Sequence, residues 1–322
     1  MPSVVIPRRF GALTMTLLVF SLFFSGCSRR TLVDWAPASD HLPQRSEIRT
    51  VPFYPQEDHQ CGPATLAMAL VWSGLRVSPG TLAEEVFTPA LEGSYQSAIV
   101  GAARRHGRIA YPVSDLEGLF HEVAAGHPVI VLQNLGLSWY PVWHYALVIG
   151  YDLRRNFILL HSGSSPRKQL SMDVFKATWG RSRNWGILVL PPDRLPVTAE
   201  LPKFISAVIG LEQAGQWTAA IEGYGSALKL WPSSLAARIG LGNCWYALGH
   251  LAAAEEVLRE ASRQYPDEGG VFNNLAQVLF ERHKQREALE AARRAVELGG
   301  PLVEAYRKTL AEIQAGYSVQ SQ

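Results

Sequence analysis

A chain of 322 residues with 48% hydrophobic and 10% aromatic content can bury more than one core, roughly two domains at about 150 residues each, and is neither disordered nor fibrous in type. Thirty basic against 28 acidic residues leave a formal charge of +2; without a dense Lys/Arg stripe interleaved with aromatics, nucleic acid is excluded as an expected partner. Three cysteines are too few for a disulfide scaffold, so each is read from its own context.

Arg8 and Arg9 precede an apolar run of about fourteen residues, shorter than the ~20 needed to span a bilayer. Residues 1–27 therefore read as a secretory signal. The closing Phe24, Ser25, Gly26 and Cys27 resemble a bacterial lipobox, with Phe24 departing from the usual Leu. The resemblance implies cleavage before Cys27, lipid attachment to its sulfur and a membrane contact through that anchor. Ser28, where an Asp would favour inner-membrane retention, directs the expectation to the outer membrane facing the periplasm. The alternative is an ordinary secreted or tethered protein in which Cys27 has no role. Residues 28–47 lack periodicity, carry two prolines and read as a tether.

The stretch 48–190 opens on the extended "IRTVPFYPQ" and a helix starting at Cys61. Pro63 suits a first helical turn, and an apolar run carries the helix to Ser73-Gly74. A thiol at this position sits at the positive helix end, where the thiolate is favoured and the pKa expected to fall. A helix ending at Gly107, another over "LEGLFHEVAAG" running into a strand at Pro128 to Leu132, and two β-rich runs joined by "DLRRN" follow. A short helix at "MDVFKATWG" and a last strand "WGILVLPP" close an α+β pattern. His144 interrupts an apolar strand, where an unpartnered imidazole is costly. His106, His121 and His127 read as surface or capping residues.

The linker at 191–200 lies in "PPDRLPVTAELP", four prolines in twelve residues, and the domain before it is expected to fold on its own. From Leu201 the chain repeats with a period of 34, as in Ala220, Ala254 and Ala288 or Ala227, Ala261 and Ala295. This resembles tetratricopeptide repeats: three over 201 to about 300 plus a terminal helix, in a unit spanning 201–322. Such an array implies a groove for a peptide or protein partner. Cys244 falls inside a repeat helix, where packing accounts for it.

Gln56, the Cys61-Gly62-Pro63-Ala64 run, "GHPVIVL" from Gly126 and "WHYALVIGYD" from Trp143 resemble the bacteriocin-leader-processing cysteine peptidases, papain-like enzymes that cut after a double glycine. The match is nearest in kind to free-standing lipoproteins with a tetratricopeptide tail. The implied fold is an α+β papain-like peptidase domain followed by an all-α repeat solenoid. By motif, Cys61 is the nucleophile, His144 the general base and Gln56 the oxyanion donor, although its five-residue spacing from Cys61 departs from the commoner six. The family's orienting Asp or Asn is missing: His161 or Ser162 stands in its place, with Asp152 and Asn156 as more distant candidates. No cofactor, metal-ligand spacing or phosphate loop is found. Two other readings stay open, a non-catalytic peptide-binding lipoprotein that retains the fold and a papain-like acyl transferase or amidase.

Overall fold

The computed structural model describes residues 42–56 and 60–320. The expected signal, Cys27 and the tether up to residue 41 lie outside the described residues. Among these, no helix is long and apolar enough to cross a membrane.

The first domain is a sheet in the order β2-β7-β3-β4-β5-β6, with β1 also on β4. Its strands are β1 (Arg45–Glu47), β2 (Ile109–Pro112), β3 (Val129–Asn134), β4 (Trp143–Asp152), β5 (Phe157–Ser162), β6 (Ser165–Ser171) and β7 (Gly186–Leu190), all paired antiparallel. Helices α1 (Cys61–Trp72), α2 (Pro79–Val86), α3 (Gln96–Arg105), α4 (Leu116–Ala124) and α5 (Met172–Gly180) complete it. The last residues of the expected tether are a strand: Arg45 to Glu47 pair with Asp152 to Gly150, on the edge of β4 that β3 leaves at Val148. Their polar sequence hides this, because an edge strand gains its bonds from the partner backbone rather than from apolar alternation.

Helix α1 is buried from Gly62 to Leu70. A helix apolar all round belongs inside a core, and α1 packs against β4, α2 and α3. Gly62 is required there, since a Cβ would lie 2.6 Å from Ser94 Oγ.

The second region is helical: α6 (Leu201–Gln213), α7 (Trp217–Leu230), α8 (Leu235–Ala247), α9 (Leu251–Gln264), α10 (Gly269–Glu281), α11 (Gln285–Leu298) and α12 (Val303–Gln320). Helices α6, α8, α10 and α12, starting at 201, 235, 269 and 303, stand 34 residues apart. Ala220, Ala254 and Ala288 are fully buried, which lets paired helices approach.

The proline-rich linker is docked and does not act as a free spacer. Thr198 N and Oγ1 donate to the fully buried carboxylate of Glu122 at 2.7 and 2.6 Å, which also bonds His127 Nδ1 at 2.7 Å. Tyr111 Oη donates to Thr198 O and accepts from Glu200 N. Helix α6 then covers β2, with Arg104 lying across Gly210. Proline removes donors and fixes φ, which ends regular structure without implying exposure.

Candidate active site

The site forms where the two neighbours of β4 part company. Pairing with β5 runs no further back than Leu147 with His161, so the edge of β4 at Tyr145 is left to other groups. Gln56 and the start of α1 take that place. Gln56 Nε2 donates to Thr65 Oγ1 at 2.9 Å and to Tyr145 O at 3.3 Å, and the partly buried Cys61 sulfur is hydrogen-bonded by the backbone at Tyr145, Gly62 and Cys61 itself. The N-cap Gln60 makes no side-chain cap bond, which leaves the first amides of the helix to the sulfur.

His144 precedes Tyr145 on the same strand, so Cys61 bonds the backbone one residue from the imidazole. His144 Nε2 lies 2.9 Å from Ser162 Oγ, at the end of β5. A hydroxyl therefore stands beside the imidazole, where the resemblance leads one to expect an Asp or Asn. His161, its neighbour, is not brought to the site: its ring lies tilted against Phe53, with centroids 5.1 Å apart, and its Nδ1 accepts from Arg167 N. Asp152 is also excluded, since it caps Arg155 N at the opposite end of β4, and Asn156 lies beyond it in the turn with φ 54°.

Electrostatics correct one expectation. Burial pushes the Cys61 thiol above its ordinary value, and the three backbone hydrogen bonds offset this only in part. The helix end contributes ~0.3–1 kcal/mol to a thiolate, less than desolvation takes away. Burial, with Lys168 adding to it, lowers His144 to about 4. At neutral pH the pair rests as thiol and neutral imidazole. Alkylation of Cys61 by iodoacetamide is accordingly expected to accelerate with pH through a midpoint above the usual thiol range. A rate flat between about pH 5 and 8, the mark of a preformed ion pair, would contradict this.

Gln56 is a brace as well as a neighbour of the sulfur. Its Oε1 accepts from Gly163 N at 2.7 Å, and its own N–H donates to Gly163 O. Both Nε2 protons have partners, so service to an oxyanion requires release of the longer bond to Tyr145 O. Gln56→Ala strands the Gly163 amide, and a loss of about 1–3 kcal/mol in urea unfolding is expected.

Two of the other histidines meet carboxylates: His106 bonds Glu85 at 2.8 Å, and His127 is buried against Glu122 rather than on the surface. Cys244 is fully buried, and its thiol is pushed up to about 12 by burial and then by Glu212. Among the described residues no cluster of three or more His, Cys, Asp or Glu could hold a metal. Tyr145, whose main chain serves both Gln56 and Cys61, is the site residue that motif reading missed. Its adjacency to His144 was the available signal.

Residues 48–187 match the Peptidase C39 like family. Residues 211–278 match the tetratricopeptide repeat. The fold is thus a C39-like α+β domain followed by a helical repeat region. Among solved structures, a protein described as a C39-like peptidase from Bacillus anthracis is 20% identical, with a TM-score of 0.39 over 45% of this chain and 97% of its own. The Sgt2 repeat domain from Aspergillus fumigatus is 20% identical, with 0.37 over 38% and 83%. The Yersinia enterocolitica secretion chaperone SycD, in complex with a peptide of the translocator YopD, is 20% identical, with 0.34 over 36% and 94%. No curated protein matches the chain.

Proposed function

We propose that this chain is a cysteine peptidase of the cell envelope that hydrolyses peptide bonds through Cys61 and His144. The observation that carries the reading is the convergence on one strand edge of a thiol at a helix start, an imidazole and a hydroxyl 2.9 Å from that imidazole. With Nε2–H donating to Ser162, Nδ1 is left unprotonated as the base. It takes the thiol proton as the sulfur attacks the carbonyl carbon and later delivers it to the leaving amine. The first amides of α1 and the Gln56 amide, once released from Tyr145 O, meet the oxyanion. Water then cleaves the thioester and restores the thiol.

A neutral serine orients the ring but gives an imidazolium no charge partner, in keeping with the lowered His144. Ser162→Asp is expected to raise the His144 pKa by about one to three units and to speed alkylation near neutrality. Ser162→Ala should slow peptide hydrolysis about tenfold by losing the ring's orientation. The first test of the reading itself is hydrolysis of a peptide mixture by the full chain, with products identified by mass spectrometry.

The raised thiol and the inward amide of Gln56 favour one competing reading, a peptide-binding module without turnover. Peptides held but never cut would establish it. The repeat region is expected to hold part of the substrate or a second protein, the usual use of such arrays.

The anchor belongs to the same proposal. Lipid on Cys27 places the enzyme on the outer membrane facing the periplasm. Cys27→Ala should release the protein from membranes or leave the signal uncut. Acylated mature variant in the membrane fraction would sink the lipoprotein assignment.

A further inference from the structure

The connection between β3 and β4 exposes an unusual amount of apolar surface. Leu135, Leu137, Trp139, Tyr140, Val142 and Trp143 are all exposed, Trp139 to 81% and Tyr140 to 68%. Contiguous exposed apolar side chains of this kind mark interaction surfaces. No Asp, Glu, Lys or Arg occurs from Pro128 to Tyr151, so no charge in the segment opposes the burial of these side chains.

The segment is built rather than slack. Leu137 and Tyr140 exchange backbone bonds of 3.1 and 3.2 Å, and Leu135 N donates to Val142 O at 2.8 Å. Asn134 Oδ1 accepts from Gly136 N and Val142 N, both at 2.9 Å. Arg181, the C-cap of α5, donates from Nη1 to Asn134 O at 3.2 Å and to Gly136 O at 2.9 Å. A Cβ on Gly136 would lie 2.4 Å from Tyr140 O, so glycine is needed for the hairpin to close. A platform ordered in advance loses little entropy on binding.

We propose that this hairpin is the substrate platform of the site and selects peptides with large apolar side chains within a few residues of the bond cleaved. The assignment rests on the peptidase reading for its consequence. Its own basis is continuity, because Trp143 adjoins His144 and the hairpin rises from the strand that carries it. A peptide bound along the start of β4 beside His144 would meet this hairpin next, since β4 begins at Trp143.

The test uses the full chain as its immobilised Cys61→Ala variant, exposed to a random heptapeptide library, with retained peptides sequenced. Enrichment in Leu, Phe, Met and Trp is expected, falling about tenfold when Trp139→Ser and Tyr140→Ser are added, while thermal unfolding stays unchanged at these exposed positions. Equal enrichment in both proteins overturns the proposal. So does a peptide pool indifferent to the hairpin combined with weaker binding of the serine variant to phosphatidylethanolamine–phosphatidylglycerol vesicles, which would assign the surface to lipid. Selective retention by Cys61→Ala together with no hydrolysis by the native chain would sink the catalytic reading and leave this one standing.

Discussion

Cys61→Ala is expected to remove peptide hydrolysis altogether, with no loss of fold. Cys61 supplies the thiol at the edge of β4, and alanine is a better helix former than cysteine at a position whose side chain is only partly buried. The other cysteine among the described residues cannot substitute, because Cys244 is fully buried among the repeat helices and burial holds its thiol protonated. His144→Ala should cost several orders of magnitude, since proton removal from a thiol already raised by burial and protonation of the leaving amine both depend on it. Single-turnover assays with quenched peptides measure both effects. Residual cleavage in Cys61→Ala at more than about a thousandth of the native rate would assign the activity elsewhere.

A chain ending at Leu190 is expected to unfold or aggregate, although its composition alone suggests an independent domain. The cut removes both Thr198 donors from the fully buried Glu122 carboxylate and the backbone partners of Tyr111 Oη. It also exposes β2, on which α6 packs. Each stranded buried polar group costs about 1–3 kcal/mol, more for a charged one, which is a large share of a stability of about 5–15 kcal/mol. A chain ending at Leu230 keeps Thr198, α6 and α7 and should unfold near the native temperature. Calorimetry of both truncations decides the point: a cooperative transition for the shorter chain within a few degrees of the native one would show that the docked segment contributes nothing to the core.

What could be read from the residues divides along physical lines. The repeat region was legible because its signal is local and recurrent, with helix starts 34 residues apart and alanines at the close approaches. Helix α1 was legible from Cys-Gly-Pro and the unbroken apolar run behind it. Strands β1 and β6 were not. Arg45–Glu47 has three polar residues, and Ser165–Ser171 is nearly all exposed, with Pro, Arg and Lys. Edge strands of that kind are held by the backbone of a neighbour rather than by a pattern of their own.

The site shows the same division. Residue types singled out Cys61 and His144 as candidates, but which of His161 and Ser162 lies against the imidazole depends on where β5 leaves β4, a property of register. Spacing likewise marked Gln56 without revealing that its amide turns toward Thr65 and Tyr145. The direction of the Cys61 shift is hidden from sequence for a related reason: a helix end is visible there, whereas the burial that outweighs it arises from segments far apart along the chain.

The central claim is that Cys61 forms a covalent acyl link with a peptide carbonyl under the control of His144. The most direct measurement treats the full chain with a peptidyl acyloxymethyl ketone bearing leucine and phenylalanine and locates the adduct by mass mapping. The account predicts one adduct, on Cys61, formed much more slowly in His144→Ala. An unlabelled Cys61 in folded protein, or labelling at the same rate without His144, would contradict it.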